Sequence, residues 1–339
     1  MLSPWRVSGS FKSSYEPPAG PKRQAMAEGG TQTFGDPDGY AAAFGDTRIR
    51  LTIAGPGDFT ARLTRLRLQH MELFRCRESL PRIAYFSLPQ QQMVLSFPIG
   101  SRPPVFGGCR LQNGDLVHHR IGERMHQRST GACQWGMMSF TATQLAKCSE
   151  ALIGQSIASP DASRILRPGR ADALRFQHLF RQACRLAANT SNLIGRPEVA
   201  RALEQEMLYA VIRCLAAEAE DTAKTRQRHA AVMVRFEEAL TMHRDQKLNI
   251  PNLCTEIGVA ERTLRMCCDE IIGISPKRYF LFHRLNRARD ALRRADPSNI
   301  SVSEIARDNQ FLEFGRFAVT YRSIFGESPS STLQRDRQK

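Results

Sequence analysis

The 339-residue sequence has no apolar run approaching the roughly 18 residues needed to cross a bilayer. Its start, MLSPWRVSGSFKSSYEPPAGPKRQ, is basic but lacks the continuous apolar core, about 7–15 residues, of a secretory signal. No Cys-x-x-Cys spacing occurs among the nine cysteines. An odd count in a chain of this length argues against a disulfide frame or a zinc site, and for reduced thiols in a cytoplasm. The adjacent Cys267 and Cys268 read as small helix residues rather than a redox pair. Gly-x-Ser-x-Gly, the Gly-rich phosphate loops and His-Glu-x-x-His are all missing, which removes the usual sequence warrants for a hydrolase, a nucleotide-binding enzyme or a zinc protease. Acidic residues are scarce, 33 against 48 Lys and Arg, for a net charge of +15. Such a balance favours a polyanionic partner. The surplus is spread out, with about +6 of it in residues 221–339, so residue spacing must carry the case.

What is present divides the chain. Residues 1–34 are rich in Gly, Pro, Ser and Gln without a period and read as disordered, and Met26 is a candidate alternative start. From about Arg48 to Phe140 the pattern is strand-like. FTARLTRLRLQHMELFR alternates with a parity shift at Leu66, as a bulge would cause. QQMVLSFPIG and CQWGMMSF read as further strands, and FGGCRLQNGDLVHHRIGE as two short strands around a turn at Asn113-Gly114-Asp115. After Phe140 the period turns helical. TATQLAKCSEALIG opens on threonines suited to capping and ends at Gly154. ADALRFQHLFRQACRLAAN puts Leu174, Leu179 and Cys184 near one stripe. PEVARALEQEMLYAVIRCL carries Val199, Leu203, Met207, Val211 and Leu215 at steps of four, as core or as a dimer surface. The expected division is a β-rich domain over 35–165, a helical extension over 166–220, a linker over 221–230 and a C-terminal domain over 231–337.

The most informative feature is a repeat. LCTEIGVAERTLRMCCDEIIGISPKRYF, from Leu253, is echoed about fifty residues later by IARDNQFLEFGRFAVTYRSIFGESPSSTL. Each reads as a short helix, a tight turn, a second helix, then Gly and Ser-Pro. Two short helices joined by such a turn form a helix-turn-helix, here over about 250–272 and 302–325. In the first, Leu253, Ile257, Leu264 and Cys268 face inward, and Glu261, Arg262 and Arg265 outward. In the second, Val302, Ile305, Ala306, Phe317 and Tyr321 face inward, and Glu313, Phe314, Arg316 and Val319 outward. The intervening PKRYFLFHRLNRARDALRRA is an amphipathic helix. Tyr279, Leu281, Leu285, Ala288 and Leu292 form its buried face, with Arg284, Arg287, Arg289, Arg293 and Arg294 around it. A rigid helix between two such units would place two recognition helices in successive major-groove segments about 34 Å apart.

This arrangement resembles the AraC/XylS family of bacterial transcription regulators over about residues 231–337. LCTEIGVAERTL, GISPKRYFLFHRLNRAR, SVSEIA and GRFAVTYRSIFGESPSSTL carry the resemblance. Residues 35–215 look, more loosely, like the cupin-like effector-binding and dimerisation module of one branch of that family. The implied fold class is α+β: a β-rich cupin-like domain with a helical extension, then an all-α domain of two helix-turn-helix units joined by a long helix. The resemblance implies a cytoplasmic, DNA-binding regulator, an activator by the habit of the family. Its partners would be double-stranded promoter DNA, a small-molecule effector, a second copy of itself and RNA polymerase, with no membrane, cofactor or metal. It places Arg262, Arg265 and Met266 toward bases, Arg265 toward a guanine, with Glu261 and Thr263 completing the first set. On the second helix Phe314, Gly315 and Val319 correspond, with Arg316 and Arg322 near phosphates or base edges. Three departures from the family pattern stand out: Ala260 where a capping Ser is common, Gln310 where Gly is common before the aromatic turn residue, and Cys268 where an aromatic is common.

Two other readings remain. His118, His119, His126 and Glu123 lie in the β region, as the ligands of a metal-dependent cupin enzyme would, although His118 and His119 point to opposite faces of a strand. An effector-independent DNA-binding protein is the other. Leu63, Leu95, Phe97 and Trp135 are candidates to line an effector pocket, with buried core as the alternative role.

Overall fold

A computed structural model describes residues 28–189, 191–216, 219–220, 224–243 and 249–334. Two antiparallel sheets form its first part. The larger runs in the order β1 (Glu28–Phe34), β3 (Ala61–Arg67), β4 (Met71–Glu78), β11 (Cys133–Thr141), β6 (Gln92–Pro98), β9 (Leu116–His118), β12 (Arg164–Leu166) and β13 (Ala219–Glu220). The smaller runs β2 (Arg48–Ile53), β5 (Arg82–Ser87), β10 (Arg124–Ser129), β7 (Val105–Phe106) and β8 (Cys109–Arg110). The helices are α1 (Pro37–Ala42), α2 (Ala142–Ile153), α3 (Arg170–Asn189), α4 (Ser191–Ile194), α5 (Pro197–Leu215), α6 (Lys224–Met242), α7 (Ile250–Ile257), α8 (Glu261–Ile272), α9 (Pro276–Arg294), α10 (Val302–Asp308), α11 (Phe314–Phe325) and α12 (Pro329–Gln334). The α+β class read from the sequence is what the structure has.

The layers follow from strand parity. Trp135 and Met137 of β11 face the smaller sheet, where Trp135 meets the edge of Phe86 at 5.5 Å. Met138 and Phe140 face the opposite way, toward α3 and α5, in a core with Leu95, Phe97, Phe176 and Phe180. A strand buried on both faces reads as a nearly continuous apolar run, hence CQWGMMSF. Across the first interface Glu78 of β4 accepts bonds from Arg82 Nε of β5 at 2.7 Å, Tyr40 Oη at 2.9 Å and Trp135 Nε1 at 3.0 Å. The smaller sheet's other face receives the C-terminal helices, with Ile83 in one core with Met233, Phe236, Leu264 and Tyr279. No helix among the described residues is long and apolar enough to cross a membrane.

Several expectations need correction. Residues 28–34 are not disordered: they form edge strand β1, in register with β3 from Glu28↔Arg67 to Phe34↔Ala61. An edge strand held by its backbone needs no apolar alternation, so its polar, Gly-rich sequence hid it. Residues 1–27, with Met26, lie outside the described residues. The segment around Leu66 holds no bulge; β3 and β4 are separate strands joined by a turn at residues 68–70, with unbroken pairing from Ala61↔Glu78 to Arg67↔Glu72. The strands flanking Asn113-Gly114-Asp115 do not pair with each other: β8 pairs with β7 and β9 with β6, so the turn passes between sheets. Thr141 precedes α2 but makes no side-chain cap, while Gly154 closes the helix in the left-handed region as expected. In α3 the buried residues are Ala173, Phe176, Phe180, Ala183, Cys184 and Ala187, and Leu174 is exposed. Residues 224–230 belong to α6 rather than to a linker. Leu63 and Trp135 are core between the sheets, and Leu95 and Phe97 core beneath the helices.

Candidate nucleic-acid interface

The two units end their first helices with the same pair of backbone bonds. In the first, Gly258 takes φ 68° after α7, its N–H bonds to Thr255 O, and Val259 N bonds to Cys254 O at 3.0 Å. In the second, Gln310 takes φ 65°, its N–H bonds to Arg307 O, and Phe311 N bonds to Ala306 O at 2.8 Å. Both are the paired bonds of a left-handed helix termination. Gln310 is the lone non-glycine with positive φ among the described residues, at a cost of about 1 kcal/mol or more. Arg284 offsets part of it. Its Nε donates to Asn309 O at 3.0 Å, its Nη2 donates to Gln310 O, and its guanidinium lies 4.2 Å over the Phe311 ring. Arg284 is therefore a half-buried strap on the turn and not a free surface charge. Arg289 is buried likewise, paired to Glu327 at 3.0 Å and stacked on Phe325. The other corrections on α9 are Phe282 and His283, which are buried, and Leu281, which is only half-buried.

The Gly-x-Ser-Pro echo has the same explanation in each unit. Gly273 and Gly326 end α8 and α11 with φ 69° and 75°. Ser275 then accepts from Arg278 N to cap α9, and Ser328 accepts from Ser331 N to cap α12. Pro276 and Pro329 take the first helical position, where no N–H is needed. The recognition helices also match in register: Ala260 and Glu313 precede them and Gly273 and Gly326 end them, 53 residues apart in each case. Neither Ala260 nor Glu313 supplies a side-chain cap.

On α8, Leu264, Cys267, Cys268, Ile271 and Ile272 are buried, while Glu261, Arg262, Arg265 and Met266 are exposed and Thr263 half-buried. Arg265 Nη2 bonds Glu261 Oε1 at 3.1 Å. Both side chains are solvated, so the pair holds the guanidinium only weakly. On α11, Phe317, Tyr321 and Phe325 are buried, and Glu313, Phe314, Arg316, Val319 and Arg322 are exposed. Arg316 pairs with Glu313 at 3.2 Å, and Arg307 lies 5.6 Å from the Phe314 ring centre. The outward residues read from spacing, Glu261, Arg262 and Arg265 on α8 and Glu313, Phe314, Arg316 and Val319 at α11, are thus exposed.

Of the candidate metal ligands His119 and Glu123 meet, but among the described residues no three His, Cys, Asp or Glu side chains gather as a metal site would need. His119 Nδ1 lies 2.8 Å from Glu123 Oε2 and its Nε2 3.1 Å from Ser96 Oγ. His118 is buried apart from them, its pKa pushed down to about 3 by burial, Arg164 and His119 in that order. His126 faces the C-terminal helices. The connectivity Ser96–His119–Glu123 is that of a hydrolytic triad, but Ser96 is fully buried and the chain there is a plain strand.

Two features escaped the sequence reading. The first is a buried carboxylate, Glu237 of α6. It accepts from Arg50 of β2 and from Tyr279 of α9, each at 2.8 Å, and His126 Nε2 of β10 stands 3.6 Å away. Burial pushes its pKa up, but His126, His283 and Arg50 hold it down to about 2. Beside it Arg124 pairs with Glu238, Asn286 bonds both backbone groups of Ile53, and Arg293 and Arg294 reach Asp36 and Asp38. The second is a cavity of about 900 Å³ between the sheets and α6. Phe106, Val117 and Met125 give it apolar walls, and its charged lining is five arginines, Arg120, Arg124, Arg164, Arg226 and Arg235, against the carboxylates of Glu123, Asp161 and Glu238. These groups come from segments far apart in sequence, and no local pattern signals their meeting.

A family profile described as a helix-turn-helix domain matches residues 253–335. Over 95 residues the chain is 38% identical to a Rhodococcus erythropolis protein named "Probable thc operon regulatory protein", covering 28% of this chain and 29% of that one. Over 94 residues it is 35% identical to XylDLEGF operon transcriptional activator 3 of Pseudomonas putida, 28% of each chain. The match therefore spans less than a third of these relatives. Among solved structures, the AraC-like transcriptional activator CuxR aligns with 75% of this chain and 91% of its own at 16% identity and TM-score 0.36. An AraC-type regulator from Chromobacterium violaceum aligns with 32% of this chain and 96% of its own at 24% identity and TM-score 0.30. Two helix-turn-helix units in one register thus lie where the profile and these relatives match, and residues 253–335 form a helix-turn-helix domain similar to part of these operon regulators.

Proposed function

We propose that the protein is a sequence-specific DNA-binding transcription regulator, an activator, working in the cytoplasm and not as an enzyme. The observation that carries this is the doubled unit: two exposed recognition helices in equivalent settings, fixed by one continuous helix. In this reading residues 231–337 bind promoter DNA, with Glu261, Arg262, Thr263, Arg265, Met266, Glu313, Phe314, Arg316, Val319 and Arg322 facing it. Residues 35–165 sense a small molecule, the helices of 166–220 support a homodimer, and bound protein recruits RNA polymerase. The effector site is the cavity against α6, and its apolar walls and arginines suit an organic anion. The test is binding of the full chain and its Arg265→Ala variant, at several salt concentrations, to the promoter fragment beside its gene and to a scrambled fragment. Preference for the promoter that Arg265→Ala reduces by about 10-fold or more supports base reading by α8. Equal, steeply salt-dependent binding of both fragments would show phosphate contact alone and count against the proposal.

A further inference from the structure

The two recognition helices sit in equivalent frames but carry opposite chemistry. With the 53-residue offset of the helix starts, Arg262, Arg265 and Met266 of α8, base-facing in the proposed function, correspond to Gly315, Ala318 and Val319 of α11, and not to Phe314, Gly315 and Val319 as the resemblance implied. At these three positions the second helix has no guanidinium. Its hydroxyls are also spent on its own backbone: Thr320 Oγ1 donates to Arg316 O at 2.8 Å, and Ser323 Oγ to Thr320 O at 2.7 Å. What α11 offers instead is apolar surface. Val319 is 72% exposed and Leu312, just before the helix, 69%. Leu312 is the residue by which the second turn exceeds the first: Val259 and Phe311 are 52 apart, the helix starts 53. Gly315 has no packing reason to be glycine, since a Cβ there would meet nothing within 4 Å. Its bare backbone faces outward and lets the helix approach a surface closely. Exposed cations stand at the edge of this face, with Arg316 and Arg322 on the helix.

We propose that α11 reads thymine methyl groups, with Val319 and Ala318 in contact with the C5-methyls of a T-rich half-site and Gly315 permitting the close approach, while α8 reads a guanine-containing half-site. The inference rests on the DNA-binding reading above. Methyl groups are the apolar feature of the major groove, and small apolar side chains are what contact them. A cationic edge around an apolar centre complements phosphates flanking methyls. The small residues on the face leave α11 little to reject with, so its contribution is spread over methyls rather than set by one bidentate contact.

The test starts from the full chain and a random duplex library, from which bound sequences are enriched. Each thymine of the enriched site is then replaced by deoxyuridine, which removes the methyl alone, and each guanine by 7-deazaguanine. The expected site has two segments about one helical turn apart. In one, each deoxyuridine weakens binding about fourfold, the equivalent of about 0.8 kcal/mol for a buried methyl. Val319→Ala weakens binding to the thymine site and flattens that dependence. In the other segment 7-deazaguanine weakens binding, and Arg265→Ala removes that effect. Deoxyuridine without effect in both segments overturns the inference while leaving DNA reading intact. So does a dependence that survives Val319→Ala unchanged. A library that enriches no sequence overturns the DNA-binding reading and this inference with it. If Val319→Ala lowers transcription in a reporter while deoxyuridine stays silent, the apolar face serves a protein partner and the inference fails.

Discussion

Replacing Glu237 with Gln keeps the side chain's shape and removes its charge. Glu237 is fully buried and gathers Arg50, Tyr279 and His126 from three elements on two sides of the domain contact. Its carboxyl titrates near 2 in the folded protein against a reference of 4.5. A depressed carboxylate pKa contributes stability above the unfolded value and loses it as pH falls through the folded one. The difference amounts to about 3 kcal/mol at neutral pH, and about half of that remains at pH 3. Breaking a buried charge cluster by removing one partner costs about 3–5 kcal/mol by a separate route, so the two estimates meet. Urea unfolding of the wild type and Glu237→Gln at pH 7, 5 and 3 measures this directly. The variant is expected to be less stable by about 3 kcal/mol at pH 7, with the gap narrowing as pH drops. Arg50→Ala is expected to cost less, about 1 kcal/mol, because its side chain is 36% exposed and the Tyr279 bond survives. A Glu237→Gln variant within about 0.5 kcal/mol of wild type would refute the cluster's role. A full loss that stays constant to pH 3 would assign it to packing and not to charge.

Gln310→Gly relieves the left-handed strain at the second turn but adds chain entropy when unfolded, so a net gain of about 0.5–1 kcal/mol is expected. The mirror change Gly258→Gln is expected to cost about 1–2 kcal/mol, and urea midpoints decide both. A loss on Gln310→Gly would mean that the Gln side chain contributes more than the strain costs. For the cavity, an aromatic carboxylate screened by thermal shift is expected to raise the melting temperature, and Arg164→Ala to abolish the rise. A rise unchanged in Arg164→Ala would place that ligand elsewhere.

The C-terminal domain was legible because the punctuating residues of its repeat each have one local job. Gly ends a helix, Ser caps the next and Pro opens it, and each job is settled within four residues of chain. The apolar spacing then dictates which helix faces are buried. The β region was legible only as strands. Its pairings were not, because the turn at residues 68–70, Leu-Gln-His, lacks the Gly, Pro or Asn that marks a turn, and Asn113-Gly114 looks like a hairpin turn while joining strands of different sheets. Arg284 and Arg289 were misplaced for another reason. Helical periodicity assigns a charge to the solvent side, and only tertiary structure shows a carbonyl or Glu327 waiting for it.

One helix connects the proposed effector site to the proposed base-reading helix. The outward side of α6 lines the cavity with Arg226, Gln227, Ala230, Ala231, Val234, Arg235 and Glu238. Its inward side, with Val232, Met233, Phe236 and Leu240, backs the core that holds Leu253, Cys254, Leu264 and Cys268 of the first unit. Glu237 lies between these sides and anchors the helix to β2. The second unit is held differently: Leu285, Ala288, Leu292, Phe317 and Tyr321 are continuous with the apolar core between the sheets. In the proposed function, a ligand that shifts α6 acts on the core that holds α8, because Met233 and Phe236 of α6, Leu264 of α8 and Ile83 of the smaller sheet share it. Allosteric couplings run to about 1–3 kcal/mol, the same size as the Glu237 cluster. A ligand acting on α6 within that range can offset the anchor without unfolding either core, which is what a switch built on this contact requires.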